Sequence, residues 1–235
     1  VTGIIMQFAS NVIMAIRPQI MICCVQKKYG RMNYLINRGS LFIYLLILML
    51  ASPFLIDCYY VLNLWLGLVP DYAVPLCRIS LLYGMLTIIN STVLAGIHAT
   101  GKIKKISFIS GTIQFLVVIF TYAAFKMGAE PYWAYGISTI ILLITLVVNG
   151  VIFHSLVNDF YLYKYLKLIL QVVCMTILYL STLSYFSNFM ETSFFRLMSL
   201  CGESVILTVL LLIFILTREE REKIKSIICN KFKSL

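Results

Sequence analysis

Seven apolar runs, each about as long as a helix that crosses a bilayer, follow one another along the chain with short polar gaps between them. They fall at about 2–22, 39–57, 76–98, 106–126, 133–154, 165–187 and 195–217. A hydrocarbon core of about 30 Å takes roughly 20 apolar residues of helix. Open strands cannot cross lipid, because their backbone groups would stay unpaired there. The runs also lack the alternating pattern, about ten residues long, that marks a membrane barrel strand. The pattern therefore predicts an all-α, polytopic membrane bundle of about seven helices over 1–217, with a basic tail at 218–235. In that tail Ile224, Ile227 and Ile228 fall on one side among charges, which predicts a short amphipathic helix on the membrane surface.

Composition agrees with lipid as part of the solvent. Of 235 residues 61% are hydrophobic and 12% charged, against about 25% charged in soluble domains. Mean hydropathy is +0.96. A net charge of +10 raises nucleic acid as a partner, but that reading needs a basic face on a soluble domain. Here the basic residues sit in the gaps between apolar runs, so membrane topology accounts for them and no nucleic acid is expected. The chain begins at Val1, inside an apolar run and without the basic start of a signal peptide. That predicts a piece of a larger membrane protein.

The gaps fall into two alternating sets. One, at 17–38, 99–105, 156–167 and 218–235, holds sixteen lysines and arginines, and the other holds three: Arg78, Lys126 and Arg196. Cytoplasmic loops are the basic ones. The first helix is therefore expected to run inward and the C-terminus to be cytoplasmic. Lys102, Lys104 and Lys105 would hold a tight cytoplasmic turn at Gly101, while Tyr59, Tyr60, Trp65, Tyr72, Tyr132 and Trp133 suit an aromatic belt on the outer side.

Several spans carry polar stripes. At 100° per residue, Ser80, Tyr83, Thr87, Asn90, Ser91 and His98 share about 100° of arc on the third. Ser107, Ser110, Gln114 and Thr121 line one side of the fourth, and Tyr135, Ser138, Thr145 and Asn149 one side of the fifth. In the first, Gln7, Ser10, Asn11 and Arg17 share a broader face. Such residues can tie helices together by hydrogen bonds, or line a shared wet cavity. Four stripes with amides and an arginine favour the cavity, for which Gln7, Asn11, Arg17, Tyr83, Thr87, Asn90, Gln114 and Asn149 are the candidates. Arg17 stands near a helix end, so marking a pathway and snorkelling to the headgroups are both open to it.

Enzyme chemistry has little to build on. His98 and His154 are far apart, the acids form no close pair, and no Gly-rich phosphate loop is present. The seven cysteines lack metal-ligand or disulfide spacing. No catalytic residue, cofactor or metal is implied. Glu203 is the one acid well inside a span, a candidate ion or proton site or a hydrogen-bonded structural residue.

Three stretches then carry a resemblance. Phe8-Ala9-Ser10-Asn11 runs to Ala15-Ile16-Arg17-Pro18-Gln19-Ile20, a polar-striped helix ending in Pro-Gln before a basic loop. Leu62-Asn63-Leu64-Trp65-Leu66-Gly67-Leu68-Val69-Pro70-Asp71-Tyr72-Ala73 lies at an outer edge. Ala99-Thr100-Gly101-Lys102-Ile103-Lys104 is the inner turn. In order and spacing, most strongly over 1–155, the chain resembles the C-terminal half of bacterial polysaccharide flippases. These are the O-antigen and capsule repeat-unit transporters of the multidrug/oligosaccharidyl-lipid/polysaccharide exporter superfamily. One departure is Arg17, where a small or neutral residue such as asparagine is expected.

The resemblance implies one lobe of a two-lobe inner-membrane exporter, partnered by an N-terminal lobe and by membrane lipids. It would flip an undecaprenyl-pyrophosphate-linked oligosaccharide to the outer leaflet for polysaccharide or lipopolysaccharide biosynthesis. Amides and hydroxyls would meet the sugars, and Arg17, Lys102 and Lys104 at the inner mouth would meet the pyrophosphate. A multidrug exporter of the same superfamily would favour acids within the spans, where only Glu203 qualifies. A membrane polymerase, ligase or acyltransferase would call for a sizeable outer loop or catalytic histidines.

Overall fold

The computed structural model describes residues 2–157 and 160–215, and among these the fold is entirely helical. The order is α1 (Thr2–Val25), α2 (Tyr29–Ile56), α3 (Cys58–Leu66), α4 (Ala73–Ala99), α5 (Ile103–Lys126), α6 (Trp133–Leu156), α7 (Leu162–Ser187) and α8 (Phe194–Ile215). All except α3 are long and apolar enough to cross a membrane. The chain is a polytopic helical bundle, as the run lengths predict.

Three boundaries differ from the sequence expectation. The first helix does not end at Pro18-Gln19 but runs through them to Val25. A helix interior proline removes one backbone hydrogen bond, and here the turns on either side continue without it. The second span begins at Tyr29 rather than near 39, so Arg31, Asn33, Asn37 and Arg38 are helical and not loop. Hydropathy registers only the lipid-facing length, whereas backbone hydrogen bonding carries the helix on into the polar region. The short helix α3 was not expected, because nine residues lie well below membrane-spanning length. The tail at 218–235, with residues 216–217 of the seventh span and Asp159, lies outside the described residues.

Tight turns hold the helix ends. After α1, Lys27 adopts a left-handed conformation (φ 55°), and the amides of Lys27 and Lys28 donate to the carbonyls of Cys24 and Cys23 at 3.0 and 2.9 Å. The same motif follows α5, with Gly128 (φ 85°) at the left-handed position and Gly128 and Ala129 donating back to Phe125 and Ala124. Glycine takes that conformation without strain, whereas the lysine side chain makes it costlier.

Long-range contacts fix the helix directions. Cys24 Sγ donates to the Ala99 carbonyl at 3.4 Å, bringing together the ends of α1 and α4. Arg38, in the third turn of α2, donates from Nη1 to the carbonyl of Ile215, at the end of α8, at 3.2 Å. At the other extreme, Arg78 near the start of α4 caps α2, with Nε and Nη2 donating to the Leu55 and Ile56 carbonyls at 2.9 Å each. Arg196, near the start of α8, meets Asp57 at 2.6 Å. Long helices therefore alternate in direction, and the bundle has two unlike ends.

One end gathers Lys27, Lys28, Arg31, Arg38, Lys102, Lys104, Lys164 and Lys167. The other gathers Arg78, Lys126 and Arg196 together with Asp57, Asp71, Glu130 and Glu191. The two loop sets of the sequence are two faces in space. Tyr72, Tyr132 and Trp133 cluster at the second end, with successive ring centroids 6.4 and 6.1 Å apart.

The core lies along α2 and α4, the most buried helices. α2 packs against α1, α4, α7 and α8, while α4 packs against α1, α2 and α6. Gly96 marks where three helices close on one another. A Cβ there would stand 2.6 Å from Ile36 Cδ1 on α2 and 2.9 Å from Phe153 Cζ on α6, the close approach that small residues allow in membrane bundles. Hydroxyl groups tie the remaining pairs. Ser40 meets Thr92 between α2 and α4. Tyr44 meets Thr176 at 2.8 Å between α2 and α7, and Tyr179 donates to the Ser204 carbonyl at 2.6 Å between α7 and α8. α5 is peripheral, with Ile106 its one described buried residue. It packs on α6 and presents Phe108, Phe115, Phe120 and Tyr122 outward, as a lipid-facing helix does.

Candidate functional site

The polar stripe of α4 meets α1 and α6 at a cavity of about 310 Å³. Ser80, Tyr83, Thr87 and Ser91 come from α4, Ser10 from α1 and Tyr135 from α6. The spacing 80, 83, 87, 91 follows the i, i+3, i+4 rule, so one helix face carries all four. Tyr83 and Tyr135 stand edge to face across the cavity with ring centroids 6.2 Å apart, a favoured aromatic geometry.

The hydroxyls in this cavity are mostly committed as donors to their own helix. Thr87 Oγ1 donates to the Tyr83 carbonyl at 2.7 Å, Ser91 to Thr87 at 2.9 Å and Ser80 to Cys77 at 3.0 Å. A hydroxyl that donates in this way still offers lone pairs. The wall therefore presents hydroxyl acceptors and tyrosine faces beside an apolar side at Met6, Ala9, Ile13 and Ile88, a lining that can accept hydrogen bonds from a ligand's hydroxyl donors.

The amides predicted for the same cavity go elsewhere. Asn149 is fully buried, and its Nδ2 donates to Asn90 Oδ1 at 2.8 Å. Ser110 in turn donates to Asn149 Oδ1 at 3.1 Å. This chain of bonds ties α5, α6 and α4 together, so Asn90 and Asn149 serve the interhelical role that their stripes left open. Gln114 is exposed on α5 and Thr145 bonds the Ile141 carbonyl of its own helix.

On α1 the stripe divides. Ser10 turns into the cavity, while Gln7 and Asn11 face outward and hydrogen-bond each other at 3.3 Å. Arg17 is exposed within the helix, not beyond its end. It lies four residues past Ile13, the α1 residue on the cavity wall nearest the basic end. Four residues make one helical turn, a rise of about 6 Å. Seven residues separate it from Ser10, which places the two on nearly the same side of α1. Lys102 and Lys104 are exposed at the α4–α5 turn, where Gly101 (φ 74°) permits the reversal. His98 is exposed beside them, whereas His154 Nδ1 pairs with the Phe160 carbonyl.

Glu203 stands apart, half-buried on α8, with its Oε2 buried and unpartnered among the described residues. Sequence reasoning missed the roles of Arg78 and Arg196, counted there only as outer-side charges. Both are bound to the C-terminal end of α2. At that same end, a hydrogen bond of the Cys58 thiol with Cys77, together with burial, pushes the Cys58 pKa up, and a hydrogen bond with Glu130 raises that of Tyr132. No group of three or more potential metal-ligating His, Cys, Asp or Glu side chains comes together among the described residues. Comparison with protein-family models, with curated proteins and with solved structures finds no match for the chain.

Proposed function

We propose that this chain is one lobe of an inner-membrane flippase for an undecaprenyl-pyrophosphate-linked oligosaccharide, with its basic end in the cytoplasm. The observation that supports this most is the hydroxyl- and tyrosine-lined cavity between α1, α4 and α6, with Arg17 one turn beyond it toward the basic end. Acceptors and aromatic faces meet sugar hydroxyls and ring edges, and a cation at the inner mouth meets the pyrophosphate. The exposed Gln7–Asn11 face of α1 continues the polar surface toward a second lobe, and rocking of the two lobes opens the path to either side in turn. The orientation rests on the excess of basic residues at one end.

The experiment substitutes Arg17 in the full-length protein and measures surface polysaccharide, per unit of membrane-inserted protein, in a flippase-null strain. An arginine grips phosphate oxygens at two points, a lysine at one. Arg17→Lys is expected to transport at a reduced rate, and Arg17→Ala about tenfold below wild type, the scale of one lost charge-assisted hydrogen bond. Normal transport by Arg17→Ala at equal expression means that Arg17 only snorkels to the headgroups, and it removes this residue from the path.

A further inference from the structure

Two cysteines come together at the end of the bundle that holds Asp57, Arg78 and Arg196. Cys58 opens α3 and is buried, while Cys77 lies in the second turn of α4 and is half-buried. Cys58 Sγ donates to the Val74 carbonyl at 3.8 Å. A helical side chain leans back over the turn that precedes it, so residue i+3 covers the surface of residue i. Cys77 is three residues past Val74, and its side chain leans toward the place where the Cys58 thiol stands. The two side chains meet there in a hydrogen bond.

The contact is held from both sides. α3 packs on α4. Arg78, next to Cys77, donates to the Leu55 and Ile56 carbonyls at 2.9 Å each, which fixes the α2/α3 corner on which Cys58 stands. One turn farther along α4, Ser80 Oγ donates to the Cys77 carbonyl at 3.0 Å. The pair therefore sits one turn outward from the wall of the smaller cavity, to which Ser80 belongs.

A cysteine side chain reaches a single atom beyond its Cβ. Two thiols that touch therefore have their Cβ atoms close and pointing toward each other, which is the geometry a disulfide needs. In the orientation proposed above this end faces the outer side, where disulfides form and persist. Nothing in the spacing of the seven cysteines along the chain marks the pair, because the packing of α3 on α4 makes it.

We propose that Cys58 and Cys77 are oxidised to a disulfide on the outer side of the membrane, tying the start of α3 to the start of α4. The oxidant is an external disulfide. Cys58 is 1% exposed, so the oxidant meets Cys77 first. The Cys77 thiolate attacks one sulfur of the oxidant, forming a mixed disulfide and releasing a thiolate. The hydrogen bond with Cys77 and burial both hold the Cys58 proton, with the Arg78 guanidinium opposing them, so Cys58 acts second. It gives up its proton, attacks the Cys77 sulfur and releases the second thiolate. The two cysteine thiols lose two electrons and two protons, and the oxidant's disulfide becomes two thiols. The new bond closes the loop 58–77, which contains α3 and the turn at Gly67 (φ 74°) and Tyr72 (φ 64°). The place of oxidation rests on the proposed orientation, whereas the pairing does not.

The test reads one peptide. Trypsin cuts after Arg38 and Arg78, so residues 39–78 leave together with these two cysteines and no others. The peptide is weighed from the purified full-length protein after oxidised glutathione, and from cells quenched in acid and alkylated under denaturing conditions. Both samples should give a peptide two hydrogens lighter than the dithiol and free of alkyl groups. Cys58→Ser should instead give a glutathione adduct at Cys77 in the purified protein and an alkylated Cys77 in cells. Two alkylated thiols, or a stable glutathione adduct, on the wild-type peptide from purified protein overturns the pairing. Pairing in the purified protein with free thiols in cells overturns the proposed oxidation. Labelling of Asp71→Cys from outside, in a background without native cysteines, then shows that the orientation stands, and its absence that the orientation falls as well.

Discussion

Asp57 and Arg196 lie 139 residues apart in the chain and meet at 2.6 Å, with side chains 5% and 15% exposed. Each is a charge withdrawn from water at the junction of α2 and α8, and each also carries a buried atom without a partner among the described residues, Asp57 Oδ2 and Arg196 Nε. Such a pair gains little over a well-packed apolar pair, but removing one member leaves the other charge uncompensated at a cost of about 3–5 kcal/mol. Asp57→Ala should therefore lower the melting temperature of the purified chain sharply, and Asp57→Ala with Arg196→Met should recover most of the loss. If the single and double variants melt alike, the ion pair does not fasten α8 to α2. Arg17 poses the opposite case, an exposed charge for which we propose a role in the transport path rather than in fastening. In the sequence both arginines were visible as charges at or within an apolar run, but their partners were not. Asp57 and Arg196 are joined only by the packing of two helices distant in the chain, and no local spacing records that.

At the scale of elements, run length gave the number and order of the membrane helices, because a bilayer sets a minimum apolar length that each run meets. The helix starts at the basic end were less legible. α2 includes a full polar stretch from Tyr29 to Arg38, which a hydropathy window treats as loop although its backbone bonds are helical. That stretch contributes Asn37 and Arg38 to the wall of a cavity of about 710 Å³ between α2, α7 and α8, so the shortened span concealed that cavity as well as the helix. The 3.6-residue period was more reliable on α4, where Ser80, Tyr83, Thr87 and Ser91 share the smaller cavity. Asn90, one residue and about 100° from Ser91, turns to α6 instead and bonds Asn149. A stripe wide enough to include both neighbours spans two faces of the helix. Which face meets lipid, a helix or a cavity is decided by the neighbours, and α5 shows it. Its stripe of Ser107, Ser110, Gln114 and Thr121 belongs to a peripheral helix, and of these only Ser110 reaches across to α6.

At the scale of the whole molecule, charge separates the bundle into a basic end and an end holding acids, aromatics and two arginines bound to α2. The proposed orientation, with the basic end in the cytoplasm, follows the positive-inside rule. With native cysteines removed, Lys104→Cys should then react with a membrane-impermeant thiol reagent only in opened cells, and Asp71→Cys and Glu130→Cys already in intact cells. Labelling of Lys104→Cys in intact cells would invert the orientation and with it the inner-mouth role of Arg17. The central claim, that lipid-linked sugar passes the α1/α4/α6 cavity, is tested most directly by photocrosslinking. A photoreactive amino acid replaces Tyr83 in the full-length protein, or Phe120 on the outward face of α5 as a control, in cells that make the lipid-linked oligosaccharide. The adduct is then identified by mass. The account predicts an oligosaccharide-bearing adduct at position 83 and none at position 120. Equal adducts at the two positions, or none at position 83 in a protein that transports normally, would contradict it.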